Sequence, residues 1–449
     1  MRSYARELAE LKSRAGDILR DGPEGLRIAD ENRLREELID YLIYTLVFSE
    51  DLPARKEAHR LIWLTALSLG VYPASIHPLY MAMGREETGG FTTAAMNFRS
   101  LTYDVCQRVF KVAEELKAGA FIFEIAKSEM EYTFQSPAEY TACVLAASVK
   151  TGYKGPVFIQ GDHFQFSVEG YRVNPDAEIE ALKSLCKRAV DAGFLNIDID
   201  ASTLVDYSKQ TVTEQQYHNY YCTARLTEYL REIEPEGVTI SVGAEIGHIG
   251  GKNSTVEEAR AFMEGFKGEL GQGITGVSKL SVQTGTAHGG VPLPDGSVAE
   301  VNLDFEVLRS IGEFVRRQYG LSGTVQHGAS TLPEELFDRF PQNNCSEIHL
   351  ATGFQNIMYE FAPEELKSSI YSYIKESFSK DWKEGMTEQQ FLYKTRKRGF
   401  GPFKKKWWFM EESSKNRILD EIEKKLNLLF TKLNLKNTKE EVQRYVAPV

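Results

Sequence analysis

Three histidines stand out by what surrounds them. His163 follows Asp162 at the end of the apolar run PVFIQGD, His288 sits in the small-residue segment GTAHGG, and His327 closes SGTVQH ahead of Gly328, Ala329 and Ser330. Polar residues mark three more runs of the same kind: Asn97 in TTAAMNF, Asp200 in LNIDID and Glu245 in VTISVGAE. Imidazoles with a carboxylate suit a first-row divalent ion. Neutral imidazoles leave net positive charge on such an ion, which a set of carboxylates would not. An ionised aspartate next to a ligand, here Asp162, is placed to exchange protons with whatever the ion holds. Glycines beside His288 and His327 expose backbone N–H groups of the kind that cradle phosphate. Ser330 precedes TLPEELFDRF, which starts like a helix, so it reads as an N-cap as well as a ligand contact.

For these side chains to meet, the runs that carry them must be neighbouring strands. Eight runs fit: 92–98, 120–126, 156–162, 195–200, 238–245, 277–284, 322–327 and 346–351. Helix-like segments such as DVCQRVFKVAEELKAG and EVLRSIGEFVRRQYG separate most of them. Alternating strands and helices predict a parallel sheet, and this number of units predicts a closed (β/α)8 barrel with catalytic groups at the strand C-termini. An open doubly wound sheet lacks its usual signature, because no GxGxxG follows the first strand. The predicted organisation is a helical extension over 1–88, a barrel over 89–361 and a second helical extension over 362–449.

Composition narrows the function. The chain has 449 residues and a formal net charge of −11, which argues against nucleic acid as a partner. The N-terminal segment is charged and helical in pattern, without a signal-peptide core, and no apolar run reaches membrane-spanning length. Five scattered cysteines form no CxxC pair, and a reducing cytoplasm is the expected compartment.

The segments AAMNF, GDHFQ, DAGFLNIDIDAS, GAEIGHIGG, SVQTGTAHGGV, LDFEVL, VQHGASTLPEELF and EIHLATGF run in the order seen in one family. Together they resemble the class II, metal-dependent fructose-bisphosphate and tagatose-bisphosphate aldolases, over about residues 90–360. The resemblance implies aldol cleavage of a phosphorylated ketose, through a metal-stabilised enediolate, to dihydroxyacetone phosphate and an aldehyde. It implies His163, His288 and His327 as metal ligands, with Glu245 as an alternative ligand and Asp200 near a second metal position. Asp162 is then the acid/base, and Asn97, Gly289, Ser330 and Thr352 contact substrate or its phosphate. Zinc is the ion the resemblance implies; cobalt, iron and manganese suit the same donors. A homo-oligomer is expected.

The chain departs from the family pattern at four places. Lys252, Asn253 and Ser254 replace an acidic pair, and Glu257 and Glu258 are the substitutes the same loop offers. No basic residue follows His288-Gly289, Ala126 stands where a serine is usual, and His349 where an asparagine is. The basic stretch KTRKRGFGPFKKKWWFM offers Arg396, Lys397 and Arg398 to a distal phosphate or sulfonate, across a subunit boundary or otherwise, or else forms packed surface with Trp407 and Trp408 against the barrel. His59, His77, His218 and His248 read as structural. Other functions remain open on sequence: a metal-dependent hydrolase or isomerase, a lyase acting on a related sugar acid or sulfosugar phosphate, or a non-catalytic aldolase-like binding subunit.

Overall fold

A computed structural model describes residues 3–22, 25–247, 251–285, 293 and 303–448. Eight parallel strands form the barrel: β1 Thr93–Asn97, β2 Phe121–Ala126, β3 Gly155–Gln165, β4 Asn196–Asp200, β5 Ser241–Glu245, β6 Lys279–Val282, β7 Thr324–Gln326 and β8 Cys345–Leu350. Each pairs with the next, and β8 returns to β1 through Ile348 opposite Ala94, which closes the sheet. Helices cover the outside. The one over Pro137–Thr151 shows why its sequence folds locally: Ser136 accepts from the Glu139 amide, proline opens the first turn, and Gly152 ends it at φ 76°.

The terminal segments differ in part from the helical expectation. Residues 19–28 form an antiparallel hairpin, Leu19–Gly22 with Gly25–Ile28. Val71–Ala74 is a strand that pairs in parallel with the start of β3. VYPA is too short to hold a helical period and carries Pro73, which disfavours one, and the long β3 offers it an unpaired edge below β4. The C-terminal segment is helical, as its pattern predicts, with Glu364–Ser377, Glu388–Thr395, Lys404–Trp408, Glu412–Lys432 and Lys439–Tyr445. Trp407 packs edge-on to Tyr359 of the barrel, while Trp408 packs on Tyr44 and Phe48 of the N-terminal segment. The two extensions therefore meet each other as well as the barrel.

One local irregularity positions the site. Successive strand residues normally face opposite sides of a sheet, yet Asp162 and His163 both face the barrel mouth. The ladder between β3 and β4 steps from Gly161–Ile197 to Phe164–Ile199, one extra residue on β3. That is a bulge, and His163 occupies it with a left-handed φ of 42°. Gly161 permits the bend, since a Cβ there would lie 2.5 Å from the Phe164 ring. Gly161→Ala is expected to destabilise the protein by about 1–3 kcal/mol through overpacking and to lower bound metal. Thermal unfolding and elemental analysis check this; unchanged values in both would mean that the bulge tolerates a side chain.

Candidate active site and metal centre

The strand ends open into a cavity of about 780 Å³, within the usual range for a small-molecule site. Its floor carries Asp162 and His163 from β3, Asp200 from β4, Glu245 from β5, and His327 and His349 from the last two strand ends. His163 Nδ1 lies 2.8 Å from Glu245 Oε1 and 3.2 Å from Asp200 Oδ2. On its other side Nε2 is 3.8 Å from Asp162 Oδ1. His327 Nε2 is 3.5 Å from the same Glu245 oxygen, and the two imidazoles are 4.2 Å apart between centroids. Donor atoms of Asp162, His163 and His327 all lie within 4.8 Å of one another, as do those of His163, Asp200 and Glu245.

The electrostatics fit a cation. Burial would lower the His163 imidazole, but Asp162, Glu245 and Asp200 outweigh it and hold it well above its ordinary range. Burial and the neighbouring Asp200 push the Glu245 carboxyl up to about 7, against the pull of His163. Burial opposes ionisation of Asp162, yet His163, His349 and His327 hold it well below the usual carboxylate range. The carboxylates thus need positive charge at this spot, and protons on the imidazoles supply it. A divalent ion supplies the same charge and displaces those protons. Two imidazoles and three carboxylates are donors of the right chemistry for a first-row ion. His288 and Gly289 lie outside the described residues, as does His248.

The remaining sequence candidates are placed as follows. Asn97 lines the cavity, but its Nδ2 donates to Asp162 Oδ2 at 3.0 Å and to Glu129 Oε2 at 2.7 Å. It therefore holds the aspartate, leaving only Oδ1 for a ligand. Ser330 does not cap an α-helix. It lies in a 3-10 turn over Ala329–Thr331, followed by another over Glu334–Arg339, and its Oγ accepts from the Ala351 amide at 2.7 Å. Thr352 opens the helix Thr352–Phe361 and lines the same side. Glu258 is not the missing acid: it caps Thr255 and pairs with Lys252 at 2.8 Å, and neither it nor Glu257 lines the cavity.

Of the basic stretch, Lys394 and Lys397 line the cavity; Arg396 and Arg398 do not. Arg396 bonds Asn356 and stacks on Tyr359 and Tyr393, and Arg398 pairs with Asp381. The cations thus reach the cavity within one chain.

Sequence reading missed a layer beneath the floor. Residues two before Ala126, Asp162, Asp200 and His349 on their strands are Glu124, Gln160, Asp198 and Glu347. The period of two turns them all into the barrel, where Lys279 of β6 meets Glu347 at 2.5 Å, Gln160 at 2.8 Å and Asp198 at 2.9 Å. Charged residues inside otherwise apolar strand runs were the available signal. Barrel interiors are ordinarily layers of Val, Ile and Leu.

A closed parallel barrel with a histidine–carboxylate cluster at its mouth defines a class of metal-competent (β/α)8 proteins. A family model described as "Fructose-bisphosphate aldolase class-II" matches residues 82–405. The chain belongs to the class II fructose-bisphosphate aldolase family. It is 24% identical over 263 residues to a fructose-bisphosphate aldolase of Giardia intestinalis, covering 58% of this chain and 67% of that protein. It is 25% identical over 293 residues to one from Thermus caldophilus, covering 63% and 75%. Among solved structures, the fructuronate-tagaturonate epimerase UxaE of Cohnella laeviribosi shares the fold with a TM-score of 0.56 at 11% identity, covering 93% of this chain and 89% of that one. No described helix is long and apolar enough to cross a membrane.

Proposed function

We propose that this protein is a metal-dependent lyase that cleaves a phosphorylated ketose between C3 and C4, giving dihydroxyacetone phosphate and an aldehyde. The observation that carries the proposal is the mouth cluster, where Asp162 is ionised within 4 Å of His163, and His163 is flanked by Glu245 and Asp200. His163 and His327, together with His288 from outside the described residues and with Glu245 or Asp200, are the residues that would hold the ion, and zinc is the ion expected from the family. When bound, the ion supplies Lewis-acid stabilisation of the charge left by bond cleavage.

The chain's own residues do the rest. Asp162 takes the proton from the C4 hydroxyl as the C3–C4 bond breaks, the bonding electron pair passes to C3, and C3 takes a proton from solvent before dihydroxyacetone phosphate leaves. In condensation it returns that proton. Its low proton affinity keeps it ionised, and Asn97 aims it through the 3.0 Å bond. The 3-10 turn at Ser330 and the first turn of the helix at Thr352 present backbone N–H groups to the phosphate of the dihydroxyacetone half.

Arg99, Lys127, Lys394 and Lys397 also line the cavity, together with Glu129 and Glu131. Arg99 is spent on Glu129 and Gln355. No carboxylate among the described residues lies within ion-pair distance of Lys397, which is pushed down by burial and by Arg99. An anionic group on the aldehyde half suits this lining. Lys397→Met is expected to lower kcat/KM for a doubly phosphorylated ketose by about 10- to 100-fold, the value of one charge-assisted hydrogen bond. For a ketose 1-phosphate it leaves kcat/KM nearly unchanged. Equal losses on both substrates would remove Lys397 from this role.

Elemental analysis paired with a cleavage assay tests the proposal. The assay offers fructose 1,6-bisphosphate, tagatose 1,6-bisphosphate and fructose 1-phosphate, with and without chelator. Chelator-sensitive release of dihydroxyacetone phosphate by a metal-loaded protein is the expected result. Metal bound without cleavage of any of them would favour a non-catalytic role or another substrate.

A further inference from the structure

His349 stands between the floor of the cavity and the charged layer below it. Its Nδ1 is 3.2 Å from Asp162 Oδ1 and 3.1 Å from Glu124 Oε2. Its Nε2 is 2.7 Å from Glu347 Oε1 and 3.5 Å from Asp198 Oδ2. The ring also packs 4.0 Å from that of His327. Glu347 is itself fixed from three sides: by Lys279, by Gln160 Nε2 at 2.9 Å, and by the Tyr80 hydroxyl. Neither Glu347 nor Lys279 reaches the cavity.

Buried charges are costly even when paired, and apolar replacements of buried ion pairs are often as stable or more so. This layer lies where closed barrels place aliphatic side chains. Its contacts leave the barrel core through His349, whose polar contact on the cavity floor is Asp162 and whose ring face lies on His327. An imidazole gripped at both nitrogens has a fixed ring plane, and the carboxylate it donates to has a fixed rotamer. We infer that His349 is the positioning residue of the acid/base Asp162, and that the buried Lys279–Glu347 pair holds His349 in place. The inference rests on the aldolase reading, in which Asp162 handles the C4 hydroxyl proton.

That reading separates two reactions. Cleavage of a ketose phosphate needs Asp162. Exchange of the C3 proton of dihydroxyacetone phosphate with deuterated solvent involves no C4 hydroxyl and does not.

The test uses the metal-loaded full chain. The double variant Lys279→Met with Glu347→Leu removes both buried charges together, so neither is stranded. Expected are an unchanged metal content, a KM within about threefold of the parent, a kcat for cleavage lowered by at least about tenfold, and proton exchange retained. Glu347→Gln, which keeps the size and an acceptor oxygen for His349, is expected to recover most of the cleavage rate, and it serves as the test if the double variant does not fold. In that role, its cleavage is expected to fall by about threefold, since a neutral acceptor grips His349 less firmly, while its proton exchange stays at the parent rate; parent-like rates in both reactions would overturn the inference. Parent-like cleavage by the double variant, or equal loss of cleavage and exchange in whichever variant folds, would overturn the inference. Absence of both reactions in the parent protein would instead overturn the aldolase reading, a separate and recognisable result.

Discussion

Replacing His163 with alanine is expected to empty the metal centre and abolish turnover together. His163 is the hub of the cluster, facing Glu245 and Asp200 through one nitrogen and Asp162 and His327 through the other side. Its loss leaves three buried carboxylates with less compensating charge, so the variant is also expected to lose stability. A change of His327 to alanine should act in the same direction. Elemental analysis of the purified variants checks this directly. Full metal content with normal turnover would remove these histidines from the ligand set. The parent protein should also bind metal more weakly as pH falls. His163 holds its proton well above the ordinary range, so binding must displace it, and apparent affinity falls about tenfold per displaced proton for each pH unit below that raised pKa, a window that already includes neutral pH. A flat pH dependence of metal affinity would mean that His163 is not displaced.

The second large effect is expected at Asp162. Asp162→Ala should retain metal and lose most cleavage, since a positioned acid/base is typically worth about 10²- to 10⁴-fold. The metal measurement matters here, because Asp162 shares a ligand-capable group with His163 and His327. Metal loss equal to that of the His163 variant would make Asp162 a ligand first. Unaltered turnover would exclude it as the proton-transfer group.

The acidic pair replaced by Lys252 and Asn253 is not restored by Glu258, which is committed to its helix cap. His349, in place of an asparagine, ties Asp162 to Glu347 in the barrel core. Lys394 and Lys397 bring the C-terminal segment into the lining of the cavity.

The barrel was legible from the chain alone because its signal is local. Eight apolar runs at regular spacing, separated by amphipathic helices, leave few ways to satisfy backbone hydrogen bonds and bury the apolar faces. The polar residue types at the run ends named the metal-competent cluster for the same reason. Tertiary structure decided what depends on long-range register. The β3 bulge turns neighbouring Asp162 and His163 to one side, against the alternation that a strand imposes. The parallel strand at 71–74 exists only because β3 extends below its partner. Two 3-10 turns, Ala329–Thr331 and Glu334–Arg339, stand where the sequence after Ser330 starts like a helix. Which of Arg396, Lys397 and Arg398 reaches the cavity follows from the path of a segment far from the barrel strands in the chain. The buried Lys279–Glu347–His349 layer joins β6 to β8, and its partners lie 68 residues apart. Periodicity fixes the side of a strand on which a residue lies, but only closure of the sheet brings opposite strands within bonding distance.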